Sequence, residues 1–107
     1  MFVATDTENL QSLNVRLKRD DGAVVYLNGH EIIRDNMPTG SIYYDTFATD
    51  YVGSDEEDVF FSWFLSSDLL QDGENFIAVE IHQVSESSSD ISFDLELIAI
   101  SYSNIVL

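Results

Sequence analysis

The chain has 107 residues, and 20 aspartates and glutamates against 4 lysines and arginines give it a formal net charge of −16 at pH 7. Such a surface repels phosphate backbones and anionic lipid headgroups, and no apolar run approaches the ~20 residues that span a bilayer, so we expect neither nucleic-acid binding nor membrane insertion. Apolar residues make up 45% of the chain and cysteine is absent, which indicates one domain over 1–107 with a hydrophobic core and no disulfides.

The predicted elements are antiparallel strands, because apolar and polar side chains alternate along much of the chain. In "LNVRLK" the residues Leu13, Val15 and Leu17 share one face, and the same period recurs in "NFIAVEIH" and "ISFDLEL". No stretch shows a sustained helical period. The spacing of these strands is typical of a β-sandwich. Strands are predicted near 12–19, 23–28, 30–34, 58–65, 75–83 and 91–101.

Two glycine-containing stretches in the first half of the chain are predicted turns. Asn28-Gly29 lies between "AVVYL" and "HEII", and Asn-Gly indicates a type I′ hairpin because that turn needs positive φ at both central residues. Asp20, Asp21 and Gly22 follow the first long strand. There the aspartates are expected to bond backbone amides and the glycine to accept positive φ. The alternative is that one aspartate joins a Ca²⁺ site at the rim, since Ca²⁺ takes six to eight oxygen ligands.

The stretch 35–57 has no strand pattern, and long loops in compact domains are often functional. It carries Tyr43, Tyr44 and Tyr51 among acidic residues. Tyrosine rings offer flat faces to sugar rings, and carboxylates accept sugar hydroxyls. The alternative is that the tyrosines only plug an edge of the sandwich. After this loop, Trp63 in "VFFSWFL" is predicted to lie in the core, in a strand covered on both faces.

Near the end of the predicted strand 75–83, Glu80 and His82 share one face. A carboxylate beside an imidazole can support acid–base chemistry, and Asp94 or Glu96 of the last strand would approach His82 if the two strands were neighbours. The alternative is a hydrogen-bonded histidine at a strand end. No set of nucleophile, base and orienting group is present, and no phosphate-binding loop, so we expect a protein that is not an enzyme.

The segments "DDGAVVYLNGHEI", "LLQDGENFIAVEIHQ" and "SSSDISFDLEL" resemble galactose-binding-like jelly-roll modules. Similar segments occur in the sugar-binding domains of family 2 glycoside hydrolases and in accessory modules of large secreted bacterial proteins. The resemblance implies an antiparallel β-sandwich that belongs to an extracellular or cell-surface protein. It also implies contacts with neighbouring domains of that protein, a glycan ligand at a rim or sheet face, and a structural Ca²⁺.

The expected function is therefore carbohydrate binding by a non-catalytic accessory module, and the alternative is a structural spacer or protein-interaction module. The candidate ligand-binding residues are Tyr43, Tyr44, Tyr51, Glu80 and His82. The simplest interpretation of the acidic surface is solubility, and the alternative is Ca²⁺ binding. The candidate metal ligands are Asp20, Asp21, Asp45, Asp50, Asp55, Glu57 and Asp58.

Overall fold

Strands dominate the described residues, and six of them lie close to where the alternating side chains predict them, while two short ones were not predicted. The computed structural model describes residues 1–50, 59–85 and 92–102. Within these ranges there are eight strands, two short 3₁₀ turns and no α-helix. The strands are β1 (Phe2–Ala4), β2 (Leu10–Asp20), β3 (Gly22–Leu27), β4 (His30–Asp35), β5 (Phe61–Ser66), β6 (Gly73–Asn75), β7 (Ile77–His82) and β8 (Ser92–Ser101).

The strands form antiparallel sheets. One three-stranded sheet has the order β5-β2-β8, a second has the order β4-β3-β7, and β1 pairs with β6. The successive strands β2 and β3 belong to different sheets. The stretch Asp20-Asp21-Gly22 therefore carries the chain from one sheet to the other rather than closing a hairpin.

The two three-stranded sheets pack against a shared apolar core. Val15 and Leu17 of β2 and Ala23 and Val25 of β3 are fully buried, and partly buried side chains of β5, β7 and β8 pack around them. This sandwich-like arrangement confirms the prediction of an all-β protein with antiparallel sheets. The strand predicted near 75–83 is β7, which begins at Ile77, and the separate short strand β6 ends just before it, at Asn75.

The environment of β5 differs from the prediction that both of its faces are covered. Trp63 is half-buried and packs on the core, as predicted, but the neighbouring Phe64 points outward and is 69% exposed. Phe60, just before β5, lies under two cations, with the Arg16 guanidinium and the Lys18 ammonium 4.5 and 4.6 Å from its ring centre. The inner face of the strand is therefore core, and the outer face is open surface.

The hairpin between β3 and β4 confirms the Asn-Gly prediction, since φ is 51° at Asn28 and 82° at Gly29. Gly22 corrects the second turn prediction, because its φ lies outside the left-handed region. A Cβ at Gly22 would lie only 2.6 Å from the Asn36 carbonyl oxygen and 2.7 Å from the Met37 sulfur. Glycine is needed there for space.

Asn28 also links the hairpin to the segment before β7. Its Nδ2 donates to Asn75 Oδ1 at 2.9 Å, and its Oδ1 accepts from the Phe76 amide at 2.9 Å. Asn75 is 0% exposed, and its amide bonds the backbone of Gln71 and Gly73. The "LNG" and "GEN" segments thus form one buried hydrogen-bond network.

Candidate functional site

Asn36 closes the base of the loop that follows β4. Asp50 N donates to Asn36 Oδ1 at 3.0 Å, Asn36 Nδ2 donates to the Asp50 carbonyl at 2.7 Å, and Thr49 N donates to the Asn36 carbonyl at 2.9 Å. Asn36 itself has φ 55°, a conformation that asparagine tolerates better than most residues. These bonds hold residues 36 and 50 together, so that the chain between them forms a closed loop.

The underside of this loop packs on the outer face of the β4-β3-β7 sheet. Met37 and Ala48 are buried against Val24 of β3, with Ile42 and Tyr26 beside them. The side chains that cover the sheet here are therefore these apolar ones, whereas the plug interpretation concerned the loop tyrosines. The loop rests on a rigid sheet, which fixes the position of the residues at its tip.

The tip carries the predicted tyrosines. A turn runs from Tyr43 to Thr46, in which Thr46 N donates to the Tyr43 carbonyl at 3.1 Å and Tyr43 N donates to Thr46 Oγ1 at 2.8 Å. Tyr43 is 66% exposed and Tyr44 is 95% exposed, and Phe47 is 48% exposed. These three rings lie in solvent above a folded support.

His82 joins the loop to the end of β7. Its Nδ1 lies 2.7 Å from the Thr46 carbonyl oxygen and its Nε2 lies 3.2 Å from Glu80 Oε2, while the ring itself is buried. Both partners are acceptors, so both hydrogen bonds form together only when both ring nitrogens carry protons. Ala48 N donates to the Gln83 carbonyl at 2.8 Å, which continues the contact between loop and strand.

Glu80 also connects the site to the centre of the sheet. The hydroxyl of Tyr26 lies 3.4 Å from Glu80 Oε2. Burial raises the pKa of Tyr26 above its ordinary value, and the negative charges of Glu80 and Glu31 raise it further. Tyr26, Glu80 and His82 share the outer face of this sheet with the loop.

An open pocket of about 340 Å³ lies between the loop tip and the end of β7. Two exposed aromatic rings, one carboxylate and several hydrogen-bonding groups surround it. The lining residues are Tyr44, Asp45, Thr46, Phe47, Ile81, His82, Gln83 and Ser85. The structure therefore brings Tyr44 and His82 together, with Glu80 directly behind His82, while Tyr43 lies at the same loop tip.

The four predicted metal ligands that lie in the described residues are one buried pair and two exposed loop residues. Asp20 and Asp21 are buried, and Asp21 Oδ2 accepts a hydrogen bond from the Val84 amide at 2.8 Å. Asp45 and Asp50 are exposed on the loop. In residues 1–50, 59–85 and 92–102, no group of three or more acidic, histidine or cysteine residues converges as a metal site. Four predicted residues lie outside the described residues: Tyr51, Asp55, Glu57 and Asp58.

Two features of the site were not expected. The carboxylates of β8 do not approach His82, because β7 and β8 belong to different sheets, and the partner is Glu80 of the same strand. Phe47 is an aromatic residue of the site that the sequence did not indicate, although it lies three residues after Tyr44 in the same loop. Its closeness to His82 depends on the contact between loop and β7, for which the sequence carries no recognisable signal.

Comparison with known proteins finds no match for the chain among protein-family models, curated proteins or solved structures. In the described part of the chain, no helix has the length and apolar character needed to cross a membrane.

Proposed function

We propose that this protein is a carbohydrate-binding module, with a jelly-roll fold of the galactose-binding-like type. It serves as a non-catalytic accessory domain of a larger exported protein and acts at the cell surface or outside the cell. The resemblance of the "YLNG" and "GEN" segments supports the fold type, and the loop over the β4-β3-β7 sheet supports the ligand.

One observation carries the proposal: Tyr44 and Phe47 expose their rings beside a pocket that combines apolar and polar side chains. Exposed aromatic rings have an unfavourable contact with water, and the flat C–H face of a sugar covers such a ring. Asp45 and Thr46 lie around the same pocket and supply acceptors and a donor for sugar hydroxyls. The short Tyr43–Thr46 turn holds the rings in place before a ligand arrives, which lowers the entropy cost of binding.

A binding role fits this site better than a catalytic one. The ring of His82 already has Thr46 and Glu80 as partners at its two nitrogens. A general base needs a nitrogen within hydrogen-bond reach of the substrate, and the buried ring of His82 offers neither nitrogen to the pocket. We assign His82 and Glu80 the role of holding the loop tip against β7, with Tyr44 and Phe47 contacting the ligand.

The test is a titration of the wild type and of a Tyr44→Ala/Phe47→Ala variant against a panel of neutral and amine-bearing oligosaccharides. Each ring stacked on a sugar is worth about 1 kcal/mol, so we expect the variant to lose roughly tenfold or more in affinity with its Tm unchanged. Tyr102→Ala is the matched control, because Tyr102 is 60% exposed and does not line the pocket. A wild type that binds no oligosaccharide in the panel would refute the proposal.

The outer face of the β5-β2-β8 sheet favours a second candidate, a protein-interaction module. Asn14 pairs with Phe64 on one side and Ile98 on the other, and these two apolar side chains are 69% and 42% exposed. Beside them Arg16 is paired with Glu96 at 2.8 Å. Lys18 lies opposite Asp94 in the strand register, so the charges of this face balance.

A face that carries both signs of charge is self-complementary in a two-fold dimer, so a second copy is the partner to test. In sedimentation experiments we expect the chain to associate as its concentration rises. The association should become stronger with added salt, because salt screens the repulsion between two chains of net charge −16. Phe64→Ser should abolish the association, whereas Phe93→Ser, at a residue 54% exposed on the opposite side of β8, should not. A wild type that remains monomeric at all salt concentrations counts against this function.

A further inference from the structure

The charges around the pocket indicate which class of glycan it accepts. We propose that the pocket selects oligosaccharides that carry a protonated amine, such as oligomers of deacetylated amino sugars, over their neutral counterparts. This inference rests on the proposed carbohydrate-binding function and specifies its ligand.

The pocket combines two groups that attract a cation. Asp45 is an exposed aspartate at its rim, and the faces of Tyr44 and Phe47 are accessible beside it. An ammonium group can lie over an aromatic ring while it donates hydrogen bonds to a carboxylate, and the two attractions reinforce each other. A neutral sugar makes the stacking contact and the hydroxyl hydrogen bonds without the charge attraction, and an anionic sugar meets repulsion from Asp45.

No positive charge of the chain offsets Asp45. All four lysines and arginines lie in the described residues, and none of them lines the pocket. Arg16 and Lys18 lie on the outer face of the other sheet, over Phe60. Arg19 is buried and paired with Asp35, and Arg34 is paired with Glu31 at 2.6 Å.

Arg34 is also bound to backbone oxygens, since its Nη1 donates to the Pro38 carbonyl at 2.9 Å and to the Gly40 carbonyl at 2.7 Å. The guanidinium is therefore held at the beginning of the loop. His82 does line the pocket, but Glu80 lies 3.2 Å from its Nε2, so a protonated His82 is neutralised by its neighbour.

The net charge of −16 extends this local preference to longer range. A surface of one sign concentrates ligands of the opposite sign near a cleft and raises their association rate. A general attraction of this kind raises the local concentration of any polycation. The preference of the pocket requires a cation that is joined to a sugar ring. The two effects are separated by removing the aromatic rings, because that change leaves the net charge as it is.

The test compares a glucosamine oligomer with free amines and the fully N-acetylated oligomer of the same length, by calorimetry at a pH below the pKa of the amine. We expect the free-amine oligomer to bind about tenfold more tightly at low salt, with the difference shrinking as salt is added. Asp45→Asn should reduce this preference about threefold, whereas Asp72→Asn, at an aspartate that does not line the pocket, should leave it unchanged.

The outcomes separate this inference from the function on which it rests. Equal affinity for the two oligomers would overturn the amine preference and leave carbohydrate binding supported. A free-amine preference that persists in Tyr44→Ala/Phe47→Ala would also overturn it, because the binding would then be a general attraction to polycations. Absence of binding to both oligomers and to the neutral sugars would refute the proposed function itself.

Discussion

At the scale of single residues, Asn75 is the most consequential polar side chain of the core. It is 0% exposed, and its amide takes part in four hydrogen bonds, to Gln71 through both backbone groups, to Gly73 and to Asn28. Buried polar groups stabilise a fold only when each is paired, and each loses its full hydration if its partner is removed. The network therefore fixes how the hairpin and the start of β7 fit together.

Replacing Asn75 with alanine should cost roughly 2–4 kcal/mol of unfolding free energy, since it removes four hydrogen bonds from a fully buried position and leaves partly buried groups of Gln71 and Asn28 without their partner. Asn14→Ala is the matched control, because the Asn14 side-chain oxygen has no hydrogen-bond partner among the described residues. That change should cost no more than about 0.5 kcal/mol. Urea unfolding of both variants measures the difference, and equal costs would show that the network adds no stability.

The two asparagines of this network differ in how far the sequence reveals them. Asn28 is recognisable because Asn-Gly demands a particular backbone conformation, which is a local property. The role of Asn75 depends on a partner 47 positions away and on complete burial, and neither follows from local pattern. The need for glycine at Gly22 could not be predicted either, because the atoms that leave no room for a side chain belong to Asn36 and Met37, in the loop after β4.

At the scale of elements, β3 is the centre of its sheet and is covered on both faces. Its inner face joins the core, and its outer face lies under the loop and carries Tyr26. The raised pKa of Tyr26 means that the folded protein holds this proton more tightly than the unfolded chain does. As pH rises above the ordinary tyrosine value of about 10, the unfolded state ionises first, and stability falls.

We expect a component that ionises above the ordinary tyrosine value of about 10 when the near-ultraviolet absorbance of tyrosinate is followed during an alkaline titration. Tyr26→Phe should remove this late component and lessen the loss of Tm at high pH. Tyr44→Phe, at a residue that is 95% exposed, should leave the late component in place. The assignment fails if Tyr26→Phe leaves the late component in place.

Period-two alternation was sufficient to predict most strands, because burial of one face is a property of each strand by itself. The sheet to which each strand belongs was not predictable. The condition under which Asp94 or Glu96 would approach His82 is not met for that reason, as β7 and β8 lie in different sheets. The loop was recognised from its lack of pattern and its tyrosines, but its packing on Val24 depends on tertiary contacts.

At the scale of the whole molecule, the net charge of −16 opposes folding through self-repulsion. Any cation relieves that repulsion by screening, and a specific Ca²⁺ site would add stability by mass action. Within the described residues, Asp45 and Asp50 are the exposed candidates that the sequence offered for such a site. Ca²⁺ binding therefore stays a prediction, and its effect on stability must be distinguished from that of charge screening.

The two effects are distinguished by measuring Tm in two solutions of the same ionic strength. One contains CaCl₂, and the other contains EDTA and NaCl. A bound Ca²⁺ should add about 2.7 kcal/mol at a hundred times its dissociation constant, beyond the effect of NaCl. Asp45→Asn and Asp50→Asn should each weaken the added effect if these residues are ligands. Equal Tm values in the two solutions would leave screening as the whole explanation.

The loop over β3 is anchored at its base by Asn36 and near its tip by the bonds of Thr46 and Ala48 to the end of β7. The side chains of 43–45 take no part in this anchoring, because the turn bonds at Tyr43 use its backbone. This separation makes 43–45 a natural site for diversification. A library randomised there would vary the recognition surface on a constant framework, in the manner of an antibody loop, and so offers a route to engineered binders.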